Sequence, residues 1–263
     1  MQQDKNKLVR ALQAACSKQE IALSPQEADL LVKHVLLVAE KNKSCNLTGI
    51  RDVEKSLYLN TVDSLFFVAS YQQLIEEGLF LDQEEDSSHK EAPCFVDMGT
   101  GGGFPGIPFG IMTKMNGLLL DSVTKKAEAV EGFIADLRLQ DRLEAKDLRT
   151  EELSKESPQT AWVALARALA PLEVLLEYAS PLLRQGGFLV ASKGLPKEDE
   201  LAAAGAAEGE TGMKLVSRET RELPEDMGHR ELFVYQKTSS PTIKLPRKPG
   251  MATKRPISAS ARI

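Results

Sequence analysis

Cysteine is scarce: Cys16, Cys45 and Cys94 are the only three among 263 residues, an odd number at wide spacing. That pattern argues against a disulfide framework and against a structural zinc site. No apolar run approaches the ~18–20 residues that a membrane-spanning helix needs. The opening stretch Met1–Lys7 mixes charges and leads into no signal-like apolar region. A reducing, cytoplasmic setting is therefore expected, and the triplet Asn46-Leu-Thr48 carries no glycosylation meaning there. Aromatic residues make up 5% of the chain and form no cluster of the kind that stacks bases along a single strand. Positive charge is in deficit as well, since a net charge of −5 by itself points to no nucleic-acid partner.

What is present is unevenly placed. From Lys237 to Ile263 there are seven Lys or Arg and no Asp or Glu, which leaves about −12 on the remainder. Such an end reads either as a solvated terminus kept soluble by charge or as a phosphate-contacting element. Near the other end, Ser24-Pro25-Gln26-Glu27 is a capping box with proline at the first helical position. Leu30, Leu31, Val35 and Val38 follow at helical spacing, with His34 beside them as a packing residue rather than a ligand. Asp52 is placed to cap a further helix bearing Leu57, Val62, Leu65, Phe66 and Ala69.

The division expected from these patterns is an N-terminal helical subdomain over 1–75, a polar linker over 76–92, a ligand-binding domain over 93–237 and a basic extension over 238–263. Within the third part, strand candidates lie at 94–98, 117–121, 143–146, 161–166, 187–193, 213–218 and 231–237. Helical stretches separate most of them, which predicts a doubly wound α/β core with a mostly parallel sheet. No helical pattern lies between the last two candidates, so a hairpin is expected to bring an antiparallel strand into the sheet.

Phe95-Val-Asp97-Met-Gly99-Thr-Gly101-Gly-Gly103-Phe104-Pro105-Gly106-Ile107-Pro108 runs from an apolar strand through an acid into a glycine-rich loop and a helix start. Glycine serves where backbone takes positive φ or must approach a ligand closely, and a helix N-terminus presents N–H groups to that ligand. A phosphate-binding loop of the Walker type is excluded, because no lysine follows these glycines until Lys114. A dinucleotide fingerprint matches weakly as Gly101, Gly103 and Gly106, with Pro105 removing a donor where the pyrophosphate needs one. Asp97 before the loop and Asp121, 22 residues after Gly99, suit a cationic nucleoside with free ribose hydroxyls, S-adenosylmethionine. A glycine-rich turn with no ligand is the remaining alternative.

Asp97-Met-Gly-Thr-Gly-Gly-Gly-Phe-Pro-Gly-Ile-Pro108 resembles the D-x-G-T-G-x-G-[LF]-P-G-I-P signature of the RsmG (GidB) family of small-subunit rRNA guanine-N7 methyltransferases. Further matches keep the family's order over roughly 40–256. They are Asn46-Leu-Thr-Gly-Ile-Arg-Asp52, Asp63-Ser-Leu65, Leu120-Asp-Ser122 with Lys125-Lys126, Arg149-Thr-Glu-Glu152, Ala166-Arg-Ala168, Lys193-Gly194, and the stretch Leu245-Pro-Arg-Lys to Lys254-Arg-Pro256. Asn60 stands where the family usually has histidine, Ala166 where it has serine, and Thr160-Ala161-Trp162 lacks its aspartate.

The resemblance implies a Rossmann-like class I S-adenosylmethionine-dependent methyltransferase fold with an N-terminal helical subdomain. It implies methyl transfer to N7 of the guanosine at position 527, in the 530 loop of 16S rRNA. The small ribosomal subunit would be the partner of a cytoplasmic, monomeric, metal-free enzyme. Other S-adenosylmethionine-dependent methyltransferases, or a non-catalytic ribosome-binding factor, are the alternatives. By the same analogy the cofactor is lined by Asp97, Gly99, Gly101, Gly103 and Phe104, its ribose is held by Asp121, and its adenine is flanked by Thr150 and Glu151. Arg167 would touch the methionine carboxylate or an rRNA phosphate as a positioning group, unless it pairs with Glu173. Lys125, Lys126, Arg247, Lys248, Lys254 and Arg255 are the expected RNA contacts, and the basic end is expected to order on RNA.

Overall fold

A computed structural model describes residues 2–79 and 94–257 of the chain. Most of the polar stretch expected as a linker, 76–92, lies outside them, as does the end of the basic extension.

Seven strands form one sheet: β1 (Phe95–Met98), β2 (Gly117–Leu120), β3 (Leu143–Lys146), β4 (Ala161–Arg167), β5 (Leu183–Lys193), β6 (Met213–Glu222) and β7 (His229–Lys237). Their order is β3-β2-β1-β4-β5-β7-β6. β1 pairs in parallel with both β2 and β4, β2 with β3, and β4 with β5, whereas β7 runs antiparallel between β5 and β6. The expected hairpin is therefore present, closed by a single 3₁₀ turn at Pro224–Asp226. The outermost strand, β6, carries Arg218, Glu219, Arg221 and Glu222, charges that blunt an open edge.

Side chains alternate along each strand between two cores, as the period of two requires. Phe95, Leu119, Val163, Leu165, Phe188, Val190 and Val234 enter one core. Val96, Leu118, Ala164, Leu189, Ala191 and Phe233 enter the other. The first is covered by α1 (Gln2–Lys18), α2 (Pro25–Lys41), α4 (Asp63–Glu76), α5 (Gly106–Thr113) and α6 (Thr124–Asp136). The second is covered by α7 (Thr150–Glu156), α8 (Leu172–Leu182) and α9 (Glu198–Thr211). Leu31, Val35 and Val38 of α2 sit in the same core as Phe109 and Phe133, so the N-terminal helices share their packing with the sheet.

The local signals explain where elements start. Ser24 Oγ accepts from Glu27 N, and the Glu27 carboxylate accepts from Ser24 N at 2.8 Å. Asp52 caps the short α3 (Val53–Ser56) by accepting from Lys55 N at 2.7 Å. A π-helical turn, Leu57–Val62, then joins α3 to α4. Cys94, at the start of β1, is half-buried. A last short helix, α10 (Met251–Lys254), lies within the basic extension.

The strand order places β1 where connections diverge to β2 on one side and β4 on the other. In open α/β sheets, that switch point is where a crevice opens beyond the carboxyl ends of the strands. The glycine-rich loop follows β1 directly.

Candidate functional site

The loop after β1 is held from below and from both sides. Asp97 is fully buried beneath it, and its Oδ2 accepts from Gly106 N at 2.8 Å. Asp121, at the end of β2, accepts from Gly101 N at 3.1 Å and from Val123 N at 2.9 Å. Thr100 N donates to Leu120 O, and Thr100 O in turn accepts from Gly103 N and Phe104 N. Gly99, Gly101 and Gly103 have φ of 76°, 59° and 87°, the left-handed region that favours glycine. On the helical side, His34 is fully buried, its Nε2 lies 2.9 Å from Gly102 O, and its ring sits 4.3 Å from that of Phe104. Burial drives the His34 value down to about 3, so the imidazole is neutral and Nε2 is the donor.

A cavity of about 410 Å³ lies above this loop. Gly99, Gly101, Phe104, Asp121, Thr150, Glu151 and Arg167 all line it, together with Lys126 and with Thr48 from the loop after α2. Six cofactor-site expectations, plus Arg167, thus converge on one space. Asp97 and Gly103 do not: Asp97 braces the loop from the core, and a Cβ on Gly103 would lie 2.8 Å from Ile107 Cδ1 and 3.0 Å from His34 Nε2. Lys125 is exposed, outside the lining.

Asp97 bears a titration signature. Burial raises its carboxyl to about 6, while the Gly106 N–H favours the charged form. A carboxyl raised in the folded state keeps a proton that the unfolded chain has already released. Its contribution to stability is therefore lost as pH climbs from the ordinary carboxylate range through 6. Asp97→Asn keeps an acceptor for Gly106 N and removes the ionisation. The stability of the variant relative to the parent should grow by about 2 kcal/mol between pH 4.5 and pH 7.5. Urea unfolding at the two pH values measures this, and a constant difference would contradict it.

A second cavity, of about 550 Å³, adjoins the first. Thr48, Arg167 and Ala168 line both, forming a septum between them. Leu59, Asn60, Asp63, Ser192, Lys193 and Arg230 are among the other residues that line the second. Arg167 does not pair with Glu173. Its Nη1 donates to Leu59 O at 2.8 Å and to Asp63 Oδ2 at 3.2 Å, and its Nη2 donates to Asn60 Oδ1 at 2.9 Å. The π-helical turn supplies both Leu59 and Asn60, an irregularity of the sort found at functional sites. Ala168 has φ of 53°, a strained value for a residue with a Cβ, at the same septum. Asn42, which is buried, holds the overlying loop by accepting from Leu47 N and Thr48 N and donating to Thr48 O. His34, Asn42, Asn60 and Asp63 were not singled out as site residues by sequence pattern. Only the N-L-T and D-S-L matches point toward their neighbourhood.

The basic extension is docked rather than loose. Arg247 forms a two-pronged ion pair with the buried Glu177 of α8, through Nε at 2.6 Å and Nη2 at 2.5 Å. Gly250 N donates to Glu151 Oε1 at 2.8 Å, and Tyr178 OH lies 3.2 Å from Thr253 Oγ1. Ala252 and Ile257 are buried. Arg247 is thereby committed to the protein itself, whereas Lys248, Lys254 and Arg255 remain exposed. Lys237, the first cation of the basic run, is buried with Nζ donating to Ser180 O and Leu183 O, and burial lowers its pKa. Where the extension is expected to await RNA to become ordered, its described residues form a packed segment with four outward cations, Lys244, Lys248, Lys254 and Arg255.

Among the described residues, no helix is long and apolar enough to cross a membrane, and no group of three or more His, Cys, Asp or Glu is placed to hold a metal ion.

The chain is similar in sequence to known proteins that share a name. Ribosomal RNA small subunit methyltransferase G of Carboxydothermus hydrogenoformans is 31% identical over 240 residues, covering 90% of this chain and 94% of the relative. Its counterpart in Alkaliphilus metalliredigens is 32% identical over 250 residues, covering 94% and 97%. Among solved structures, the chain is similar to the B. subtilis tRNA methyltransferase TrmK, with a TM-score of 0.45 and 12% identity over 60% of this chain and 67% of that one. The model of the GidB family, rRNA small subunit methyltransferase G, matches residues 27–223. With its signature loop after β1 and relatives matching along nearly their whole length, the chain belongs to the rRNA small subunit methyltransferase G family.

Proposed function

We propose that this protein transfers a methyl group from S-adenosylmethionine to N7 of a guanosine in small-subunit rRNA, at position 527 in the 530 loop of 16S rRNA. The observation that carries the reading is the pair of cavities sharing the septum Thr48, Arg167 and Ala168, which fits a donor on one side and an acceptor on the other. Membership of the family supports the substrate class.

The first cavity fits the cofactor by its own chemistry. Asp121, Thr150 and Glu151 line it together, which supports assigning the ribose hydroxyls to the Asp121 carboxylate and the adenine to Thr150 and Glu151. A Cβ on Gly99 would lie 2.6 Å from Leu169 Cδ1, so the glycine lets Leu169 pack directly against the loop. When bound, S-adenosylmethionine supplies a methyl group on a cationic sulfur. The chain's own work is then to bind, orient and exclude water. N7 of guanine is an exposed lone pair with no proton to lose, so no side chain has to serve as a base. Arg167, fixed by three hydrogen bonds and lying 5.7 Å from the Phe104 ring centroid, acts as a positioning group at the septum. Lys126 at the first cavity and the exposed Lys248, Lys254 and Arg255 offer contacts to phosphate.

The test is a comparison of small-subunit rRNA from cells with and without the gene, digested and read by mass spectrometry. One fragment carrying 7-methylguanosine should be absent without the gene and be restored by the purified protein with S-adenosylmethionine. Identical spectra from the two strains would refute the assignment.

A further inference from the structure

We infer that Asp63 is the residue that selects guanine, by accepting hydrogen bonds from the N1–H and N2–H₂ donors of the target base in the second cavity. The inference rests on the proposed methyl transfer and names the group that makes it base-specific.

Asp63 opens α4 and is 2% exposed, yet it lines the second cavity. Its two oxygens are unequally used. Oδ2 accepts from Arg167 Nη1 at 3.2 Å and from Arg230 Nε at 3.0 Å. Oδ1 has only Ser192 Oγ, at 3.5 Å, the outer limit of a hydrogen bond. An ionised carboxylate offers about four acceptor sites, so Asp63 retains capacity on the oxygen that the arginines leave open. Both of its arginine partners donate to Oδ2, so Oδ1 is the oxygen that faces the cavity without a guanidinium partner.

The direction of transfer determines which edge of the purine Asp63 can meet. If N7 is turned toward the septum and the first cavity, the opposite edge of the base faces away from it. Asp63 lines the second cavity and not the first. On that edge guanine presents two adjacent donors, N1–H and N2–H₂, whereas adenine presents an acceptor at N1. A carboxylate therefore attracts the first base and repels the second, without any contact to N7 itself. Methylation at N7 places positive charge on the purine, which sharpens N1–H and N2–H₂ as donors. The same bonds thus strengthen as the N7–carbon bond forms and the carbon–sulfur bond breaks, so they favour the transition state over the bound ground state.

The experiment uses ligated 16S rRNA carrying either guanosine or inosine at position 527, which differ in the N2 amino group. With the unaltered protein, kcat/KM should fall on the order of 10- to 100-fold for inosine, the effect of removing one hydrogen bond to a charged group. With Asp63→Asn the guanosine rate should drop and the guanosine-to-inosine ratio should collapse toward one. Equal rates on the two RNAs with the unaltered protein would overturn the inference, and that comparison requires no variant to fold. So would a loss in Asp63→Asn that is the same for both bases, the mark of a buttress for Arg167 alone. No transfer to guanosine by the unaltered protein would instead overturn the proposed reaction, and with it this inference.

Discussion

Replacing Asp121 by alanine should weaken binding of S-adenosylhomocysteine by about 100-fold or more. Two effects act in the same direction. The carboxylate is 7% exposed and accepts from Gly101 N and Val123 N, so its removal releases the glycine-rich loop from the end of β2. Hydrogen bonds to a charged acceptor contribute roughly 1.5–3 kcal/mol each. The same carboxylate lines the first cavity where ribose hydroxyls are proposed to lie, and its loss leaves them without an acceptor. Asp121→Asn should fall between, because one amide oxygen still accepts from a backbone N–H. Titration calorimetry reads the affinity directly, and an alanine variant within threefold of the parent would show that Asp121 serves the loop's fold without meeting the ligand.

Gly106→Ala should be the most destabilising change in the signature loop. A Cβ there would lie 2.6 Å from Asp97 Oδ2 and 2.7 Å from Leu119 Cγ, both in the buried core. Asp97 Oδ2 is held by Gly106 N and Leu119 is fully buried, so the helix start has to move. Movement breaks the Asp97–Gly106 bond and leaves a buried carboxylate oxygen unmet, a cost of about 1–3 kcal/mol on top of about 1–3 kcal/mol for overpacking. For a chain of this size that sum corresponds to a fall in melting temperature on the order of 10 °C. Gly102→Ala is the matched control. Its nearest neighbour would be Val38 Cγ1 at 3.5 Å, an ordinary contact, and its φ is not positive. Thermal melts of the two variants side by side measure the difference, and a Gly106→Ala melt close to that of Gly102→Ala would contradict the packing argument.

Much of the fold was legible because it is written in local periodicity. Apolar runs such as Val163–Ala166 and Phe188–Ala191 bury both faces of a central strand and need no partner to be recognised. β6 was harder to delimit. It extends to Glu222 through alternating charges that its partner β7, not its own sequence, holds in the ladder. β5 begins at Leu183, earlier than its apolar run, because Leu183 pairs with Ala161 across a bulge. The cofactor-side residues share one loop and two strand ends, so their convergence follows from topology. The acceptor side does not work this way. Arg167 meets Asp63 across 104 residues and Arg230 reaches the same carboxylate across 167. No periodicity encodes such a meeting, and a π-helical turn such as Leu57–Val62 leaves no mark in composition.

Glu151 belongs to two structures at once: it lines the first cavity, and it holds the backbone of Gly250. Tyr178 does the same through Thr253. A carboxylate shared in this way ties the segment around Gly250 to the cavity wall from behind. Glu151 is thus engaged by backbone 99 residues further along the chain while it faces the cavity. A substitution at Gly250 or Thr253 therefore acts on two residues that line the cavity, Glu151 and Tyr178, although neither Gly250 nor Thr253 lines it.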